Sequence, residues 1–147
     1  MAFCIVKYSE TFHDQILYVW EQSVFATHTF LSEKDFQAIK QIVASMDFRE
    51  IELYCLLESE TVIGFIGISN QKIEMLFLLP EKTGKGLGKQ LVEFAVHKLY
   101  ATKVDVNEQN TNAVSFYTNY GFVVTERSET DDSGFEYPLL RMQLPEK

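Results

Sequence analysis

One segment constrains this chain more than any other: Ile73-Glu-Met-Leu-Phe-Leu-Leu-Pro80, then Glu-Lys-Thr-Gly84-Lys-Gly86-Leu-Gly88-Lys-Gln-Leu-Val92. An apolar, strand-like run stops at a proline, crosses a glycine-rich loop and enters a helical pattern. Glycine lets a backbone turn tightly and come close to a ligand. The first turn of a helix carries unpaired N–H groups and a partial positive charge, which suits phosphate. Lys82, Lys85 and Lys89 gather positive charge at this point. The chain as a whole has 13 Lys plus Arg against 21 Asp plus Glu, a net charge of −8. That local reversal points to an anionic ligand at the loop.

Two well-known phosphate loops do not fit. A Walker loop requires Gly-x-x-x-x-Gly-Lys-Ser/Thr, but Gln90 follows Gly88-Lys89 and Thr83 stands where the first glycine belongs. A dinucleotide fingerprint requires Gly-x-Gly-x-x-Gly, whereas the spacing here is Gly84-x-Gly86-x-Gly88. Asp105 lies about where a ribose-binding acid would, yet no clear strand–helix–strand alternation follows it. Taken alone, the loop also fits a strand-to-helix turn whose glycines serve packing.

Periodicity predicts a strand over 3–8 and a helix over 11–28 with Ile16, Leu17, Trp20 and Val24 on one face. A second helix starts at Ser32, with capping-box spacing to Asp35 and a stripe of Phe36, Ile39 and Val43. Strands over 51–57 and 62–69 flank a short polar turn, and a third covers 72–79. Then come a helix over 86–100, a short strand over 103–106 and a helix over 112–120 stopped by Gly121. Closing strands over 122–127 and 137–144 flank a polar loop at 130–134. The order β-α-α-β-β-β-α-β-α-β-β, with no linker or repeat, predicts one α/β (α+β) domain over 1–147. It has a mixed central sheet of about seven strands and about four helices.

Composition removes several classes. With 46% hydrophobic residues, 7 Gly and 3 Pro, the chain is neither disordered nor low-complexity. The longest apolar run, Val62 to Ile68, is far short of the roughly 18–20 residues that span a bilayer, so no membrane role is expected. A net acidic chain is repelled by phosphate backbones, so no nucleic-acid partner is expected, while a cationic substrate suits it. Cys4 and Cys55 both sit in apolar runs and read as buried free thiols. The N-terminus has no secretory pattern, and a cytoplasmic location is expected. His13, His28 and His97 show no paired spacing, so no metal site is expected.

A second motif follows the loop: Asn110-Thr-Asn-Ala113-Val-Ser-Phe116-Tyr117-Thr-Asn-Tyr-Gly121-Phe122. Ala113 and Tyr117 share a helix face, and the small residue leaves room for a thin ligand beside the phenol. In this order the two motifs resemble the GNAT superfamily of N-acetyltransferases. Leu76-Phe-Leu78 to Gly88 matches its strand, Arg/Gln-x-x-Gly-x-Gly loop and helix. Asn110, Ala113, Tyr117, Gly121 and Phe122 match its following Asn-x-x-Ala-x-x-x-Tyr-x-x-x-Gly-Phe helix. The segments 26–32, 106–110, 128–132 and 137–140 are similar to a YjaB-type bacterial branch. One departure stands out: Thr83 occupies the usual Arg or Gln position.

The resemblance implies acetyl-CoA as cofactor, bound where the strand ending near Leu78 splays from the strand at 104–106. Backbone groups of Phe77 and Leu78 would pair with the pantetheine as an added strand does. A strand N–H near Phe77 would stabilise the oxyanion. Amides of Gly84, Lys85, Gly86, Leu87, Gly88 and Lys89 would hold the pyrophosphate, with Lys82 or Lys85 compensating for Thr83. Asn110 would orient the cofactor or cap its helix, beside Ala113 and Phe116. Tyr117 would assist the departing thiolate. No cysteine lies in either motif, so direct attack by the amine is expected. An alkyl amine is neutral only to about one part in two thousand at pH 7, so a base or water chain is needed. Glu74 is the candidate, provided burial raises its pKa from about 4.3. Trp20, His28, Phe30, Tyr137 and Arg141 are candidates for the acceptor pocket, with His28 a second candidate base. The acceptor is a small-molecule or peptide amine, and the protein a monomer or homodimer. The rivals are a non-catalytic acyl-CoA-binding sensor of the same fold and a structural domain that binds no coenzyme A.

Overall fold

The computed structural model describes residues 3–132 and 134–145; Ser133, inside the expected polar loop, lies outside them. Strand β1 (Phe3–Lys7) leads through a 3-10 turn at Glu10–Phe12 into α1 (His13–Thr27) and α2 (Glu33–Ala44). Strands β2 (Glu52–Glu58), β3 (Thr61–Ser69) and β4 (Lys72–Leu78) follow. Then come α3 (Leu87–Lys98), β5 (Lys103–Asn107), α4 (Thr111–Tyr120), β6 (Val123–Ser128) and β7 (Leu139–Gln143). The seven strands form one mixed sheet in the order β1-β2-β3-β4-β5-β7-β6, with four α-helices as expected. Every residue from Val62 to Ile68 is buried because α1 and α3 both pack on β3.

The first helix starts two residues later than its periodicity suggests. Ser9 Oγ accepts from Thr11 N–H and closes a 3-10 turn before it. Its buried face is Ile16, Val19, Trp20, Ser23 and Val24, while Leu17 falls on the margin. The second helix begins as expected: Ser32 Oγ accepts from Asp35 N–H at 3.1 Å. Cys55 is buried, which pushes its thiol up to about 12 and keeps it protonated. Cys4 corrects the expectation for both cysteines. It is exposed, because β1 is an edge strand.

What positions the site is an irregularity in β4. Gly67 lies opposite Met75 and Ile68 opposite Ile73, so Glu74 is an extra residue on β4, a bulge. Parallel pairing with β5 is confined to Lys72 with Lys103 and Ile73 with Val104. Beyond the bulge the two strands part, and the β5-facing edge of β4 is open. Leu79 N–H donates to Ile63 carbonyl at 2.9 Å. By the alternation of an antiparallel ladder, the Phe77 amide also faces β3, and those of Leu76 and Leu78 face the gap.

Candidate active site

The loop after β4 leaves its backbone open to close approach. Gly84 and Gly86 have φ of +78° and +79°, and a Cβ on either would meet nothing within 4 Å. The glycines therefore serve the turn rather than packing. The helical bond from Gln90 N–H runs to Gly86 carbonyl at 3.1 Å, so the amides of Leu87, Gly88 and Lys89 have no helical acceptor. A Cβ on Gly88 would touch Leu78 and Phe116 at 3.5 Å, so this helix end sits flush between β4 and α4.

A cavity of about 530 Å³ runs from this loop along the open edge of β4 to α4. It is lined by Phe77, Leu78, Thr83, Gly84, Gly86, Gly88 and Lys89, then by Asn110, Ala113, Phe116 and Tyr117. Ser23, Thr27, Leu76 and Asn112 line it as well, and sequence patterns did not single them out. Lys85 is exposed and Leu87 is a core residue, so neither side chain lines it. Lys82 turns away: its ammonium is 2.6 Å from Glu58 Oε1 on β2, with both side chains largely buried. The Thr83 hydroxyl turns back to donate to Pro80 carbonyl at 2.8 Å. Lys89 is thus the lysine of the loop that faces the cavity. Asn110 Oδ1 accepts from Ala113 N–H at 3.3 Å, so this residue caps α4 as well as lining the cavity.

A second, narrower cavity of about 180 Å³ opens in the gap between β4 and β5. Glu74, Asp105, Asn107 and Tyr117 line it, among others. The two cavities share His28, Leu76, Phe77, Asn110, Ala113 and Tyr117, so they meet at these residues. Charge is gathered at the mouth of the narrow one. Asp105 Oδ2 lies 2.8 Å from both Lys72 Nζ and Arg141 Nη1, and Arg141 Nη2 lies 2.9 Å from Asp132 Oδ1. The bond to Asp105 raises Lys72, and the bond to Arg141 lowers Asp132. Glu74 Oε1 stands 3.7 Å from Lys72, with 40% of its side chain accessible, so the burial its role as base required is absent.

The acceptor candidates part company. Trp20 is a core residue, 4% accessible and stacked on Phe36 at 5.9 Å. Arg141 holds the two aspartates, and Tyr137 O–H donates to Asp35 Oδ2 at 2.5 Å. Phe30 packs between His28 and Tyr137, at ring distances of 5.3 and 5.7 Å. Of the five, His28 alone lines both cavities.

Two titratable groups stand at the meeting point. Tyr117 is buried, which pushes its phenol up and keeps it neutral. Among the described residues its hydroxyl has no hydrogen-bond partner, so its proton is uncommitted. His28 Nδ1 lies 2.8 Å from Thr27 Oγ1, whose single proton is donated to Ser23 carbonyl at 2.7 Å. Nδ1 must therefore donate to Thr27, which leaves a lone pair on Nε2. Burial lowers the imidazole from 6.5 to about 4. The unfolded chain then takes a proton near pH 6.5 that the folded protein refuses until about pH 4, so stability falls as pH drops through that window. The loss is about 3 kcal/mol at most. His28→Asn should flatten that part of a pH series of urea unfolding, and an unchanged slope would mean the ring is not shielded.

A model of the acetyltransferase (GNAT) domain family matches residues 11–144. The chain belongs to this family and is an N-acetyltransferase, of the class that takes its acetyl group from acetyl-CoA. It is 38% identical over 133 residues to the peptidyl-lysine N-acetyltransferase YjaB of Salmonella typhimurium, covering 90% of this chain and 91% of that protein. The solution structure of apo YjaB from Escherichia coli superposes with a TM-score of 0.89 at 37% identity, over 97% of each chain. The PaiA N-acetyltransferase of Thermoplasma acidophilum, solved with coenzyme A, shares the fold at a TM-score of 0.74 and 24% identity, over 97% of this chain and 99% of that one. No helix among the described residues is long and apolar enough to cross a membrane.

Proposed function

We propose that residues 1–147 act as one unit that moves an acetyl group from acetyl-CoA to the primary amine of a lysine side chain, by direct attack. The observation that carries this reading is the meeting of two cavities at Tyr117 and His28, one bordered by an anion cradle and the other by carboxylates. The residues present suit the cofactor. Leu76 and Leu78 offer free backbone groups for a pantetheine, in place of the pairing expected of Phe77. The free amides of Leu87, Gly88 and Lys89, with the Lys89 side chain, suit the diphosphate. When bound, acetyl-CoA supplies an activated acyl carbon and a thiolate leaving group. Tyr117 donates a hydrogen bond to the sulfur. Full proton transfer from a phenol to a thiolate is uphill, because a free thiol at about 8.5 is more acidic than a phenol at about 10. The amide of Leu76 or Leu78 supports the charge that builds on the carbonyl oxygen. Glu74 and Asp105 attract the ammonium, which gives up one proton to water before it attacks; His28 Nε2 accepts a hydrogen bond from the neutral amine, and the second proton leaves to solvent as the N–C bond forms and the thiolate departs.

The narrow cavity favours the end of a linear side chain. Its 180 Å³ falls below the roughly 300–1,000 Å³ that holds drug-sized molecules. The YjaB relative is named for peptidyl-lysine transfer, which supports the same class of acceptor. The test is incubation with acetyl-CoA and lysine-containing peptides, following free thiol and locating the acetyl group by mass spectrometry. Thiol release with acetyl-lysine supports the reading. Acetyl-CoA binding without turnover on any amine would favour the acyl-CoA sensor instead.

Thr83 offers a graded test of the cofactor site. It borders the cavity, but its hydroxyl is spent on Pro80. Thr83→Arg restores a cation beside the diphosphate and should tighten acetyl-CoA by roughly tenfold or more, since one hydrogen bond to a charged group contributes about 1.5–3 kcal/mol. Unchanged affinity in calorimetry would place the diphosphate away from this residue.

A further inference from the structure

The segment that leads into β7 is fastened to the first two helices. Tyr137 O–H donates to Asp35 Oδ2 at 2.5 Å, and its oxygen accepts from Ser32 N–H at 3.3 Å. Ser32 and Asp35 form the N-terminal cap of α2, so one phenol grips a rigid helix end. The Tyr137 ring lies 5.7 Å from Phe30, and Phe30 lies 5.3 Å from His28. The segment is itself braced, since Phe135 N–H donates to Asp131 Oδ1 at 2.9 Å and Asp132 is held by Arg141. A continuous chain of contacts thus runs from α2 through Tyr137 and Phe30 to the imidazole that lines both cavities.

We propose that Tyr137 is a positioning residue: its bond to Asp35 latches the segment before β7 onto the start of α2, and so seats Phe30 against His28 and aims Nε2 at the point where the cavities meet. The functional half of this inference rests on the acetyltransferase reading. A packed aromatic face holds a ring orientation only while its own support is fixed, and here that support is the Tyr137 hydroxyl, which holds both Asp35 Oδ2 and Ser32 N–H. Without it the α1–α2 corner retains the Thr27 contact but loses the wall behind the ring. The ionisable groups that line the two cavities with the imidazole are Glu74 on β4, Lys89 on α3, Asp105 on β5 and Tyr117 on α4. None of them bonds to Tyr137 or Asp35, so a change in the behaviour of His28 reports the latch.

The experiment compares Tyr137→Phe, Asp35→Ala and the double variant with the wild type, by two readouts. Nitrogen chemical shifts of the His28 ring should show a neutral, Nδ1-protonated imidazole in the wild type well below pH 6. In both single variants the titration should move toward the free value of about 6.5. Acceptor kcat/KM should fall about tenfold in either single variant, and the double should fall no further than Tyr137→Phe, because that change already removes the bond to Asp35 along with the one to Ser32. The affinity for acetyl-CoA should stay within about twofold. Asp35→Asn, which keeps an acceptor oxygen, should recover most of the loss. Unaltered ring signals in the variants would overturn the latch, and so would additive losses. Shifted signals with unaltered kcat/KM would overturn the positioning role. If the wild type acetylates no amine, the functional reading fails, while the ring signals still decide the latch.

Discussion

Gly86→Glu is expected to abolish measurable binding of acetyl-CoA. Gly86 has φ of +79°, where a side chain costs about 1–2 kcal/mol by itself. No atom lies within 4 Å of the Cβ position, so there is no clash to add to that cost. The larger effect is electrostatic. A carboxylate set at the mouth of the free amides faces the diphosphate directly. Like charges about 4 Å apart repel by about 4 kcal/mol at the effective dielectric of a protein surface. The free loop can relax out of the strained conformation and the bound loop cannot, so both terms fall on binding, and together they come to about 5–6 kcal/mol, or more than about a thousandfold in affinity. Gly86→Ala separates them: it keeps the backbone cost alone and should weaken binding by roughly tenfold. Calorimetric titration of freshly purified, ligand-free protein reads both variants. Binding by Gly86→Glu within tenfold of the wild type would place the diphosphate elsewhere and remove the cofactor site argued above.

Tyr117→Phe should lower kcat by about a hundredfold, near the lower end for a positioned acid, and leave acetyl-CoA affinity within about twofold. The ring packs edge-on against Phe116 and Phe122 at 5.1 and 5.5 Å, and phenylalanine retains both contacts. The hydroxyl has no partner among the described residues, so its removal strands no buried group and thermal stability should not fall. Burial pushes the phenol above its ordinary value, so it stays protonated as pH rises. The wild-type rate should therefore show no alkaline loss attributable to Tyr117 below about pH 10. Single-turnover measurement at saturating acetyl-CoA isolates this step. An unchanged kcat would mean that the thiolate leaves without help from this residue.

Much of the frame was legible from local pattern. Proline after an apolar run, glycines before a helical stripe and Asn110 before α4 are signals between near neighbours in the chain, and each became the element expected. Strand order was less accessible, since β7 inserts between β5 and β6. The bulge at Glu74 left no mark in the sequence, because any residue can be the extra one on a strand. It nevertheless opens the β4 edge and, with it, the site.

Read from the chain alone, the strand–loop–helix cradle, the place of Tyr117 on α4 and the charge reversal at Lys82, Lys85 and Lys89 were already set. Hydrogen-bonding and periodicity act there over a few residues. Which charged groups were free to serve was settled by packing in three dimensions. Lys82 was drawn to Glu58, and Arg141 to Asp105 and Asp132. Tyr137 was drawn to Asp35, and Trp20 into the core against Phe36. Glu74 was left accessible beside Lys72. Each of those outcomes depends on a partner distant in the chain, and an ion pair or ring contact is settled by separation in space. The same reason explains why His28 emerged from a set of five candidates. Its neutral ring and free Nε2 follow from burial and from a hydroxyl proton already committed to Ser23, which no local pattern records.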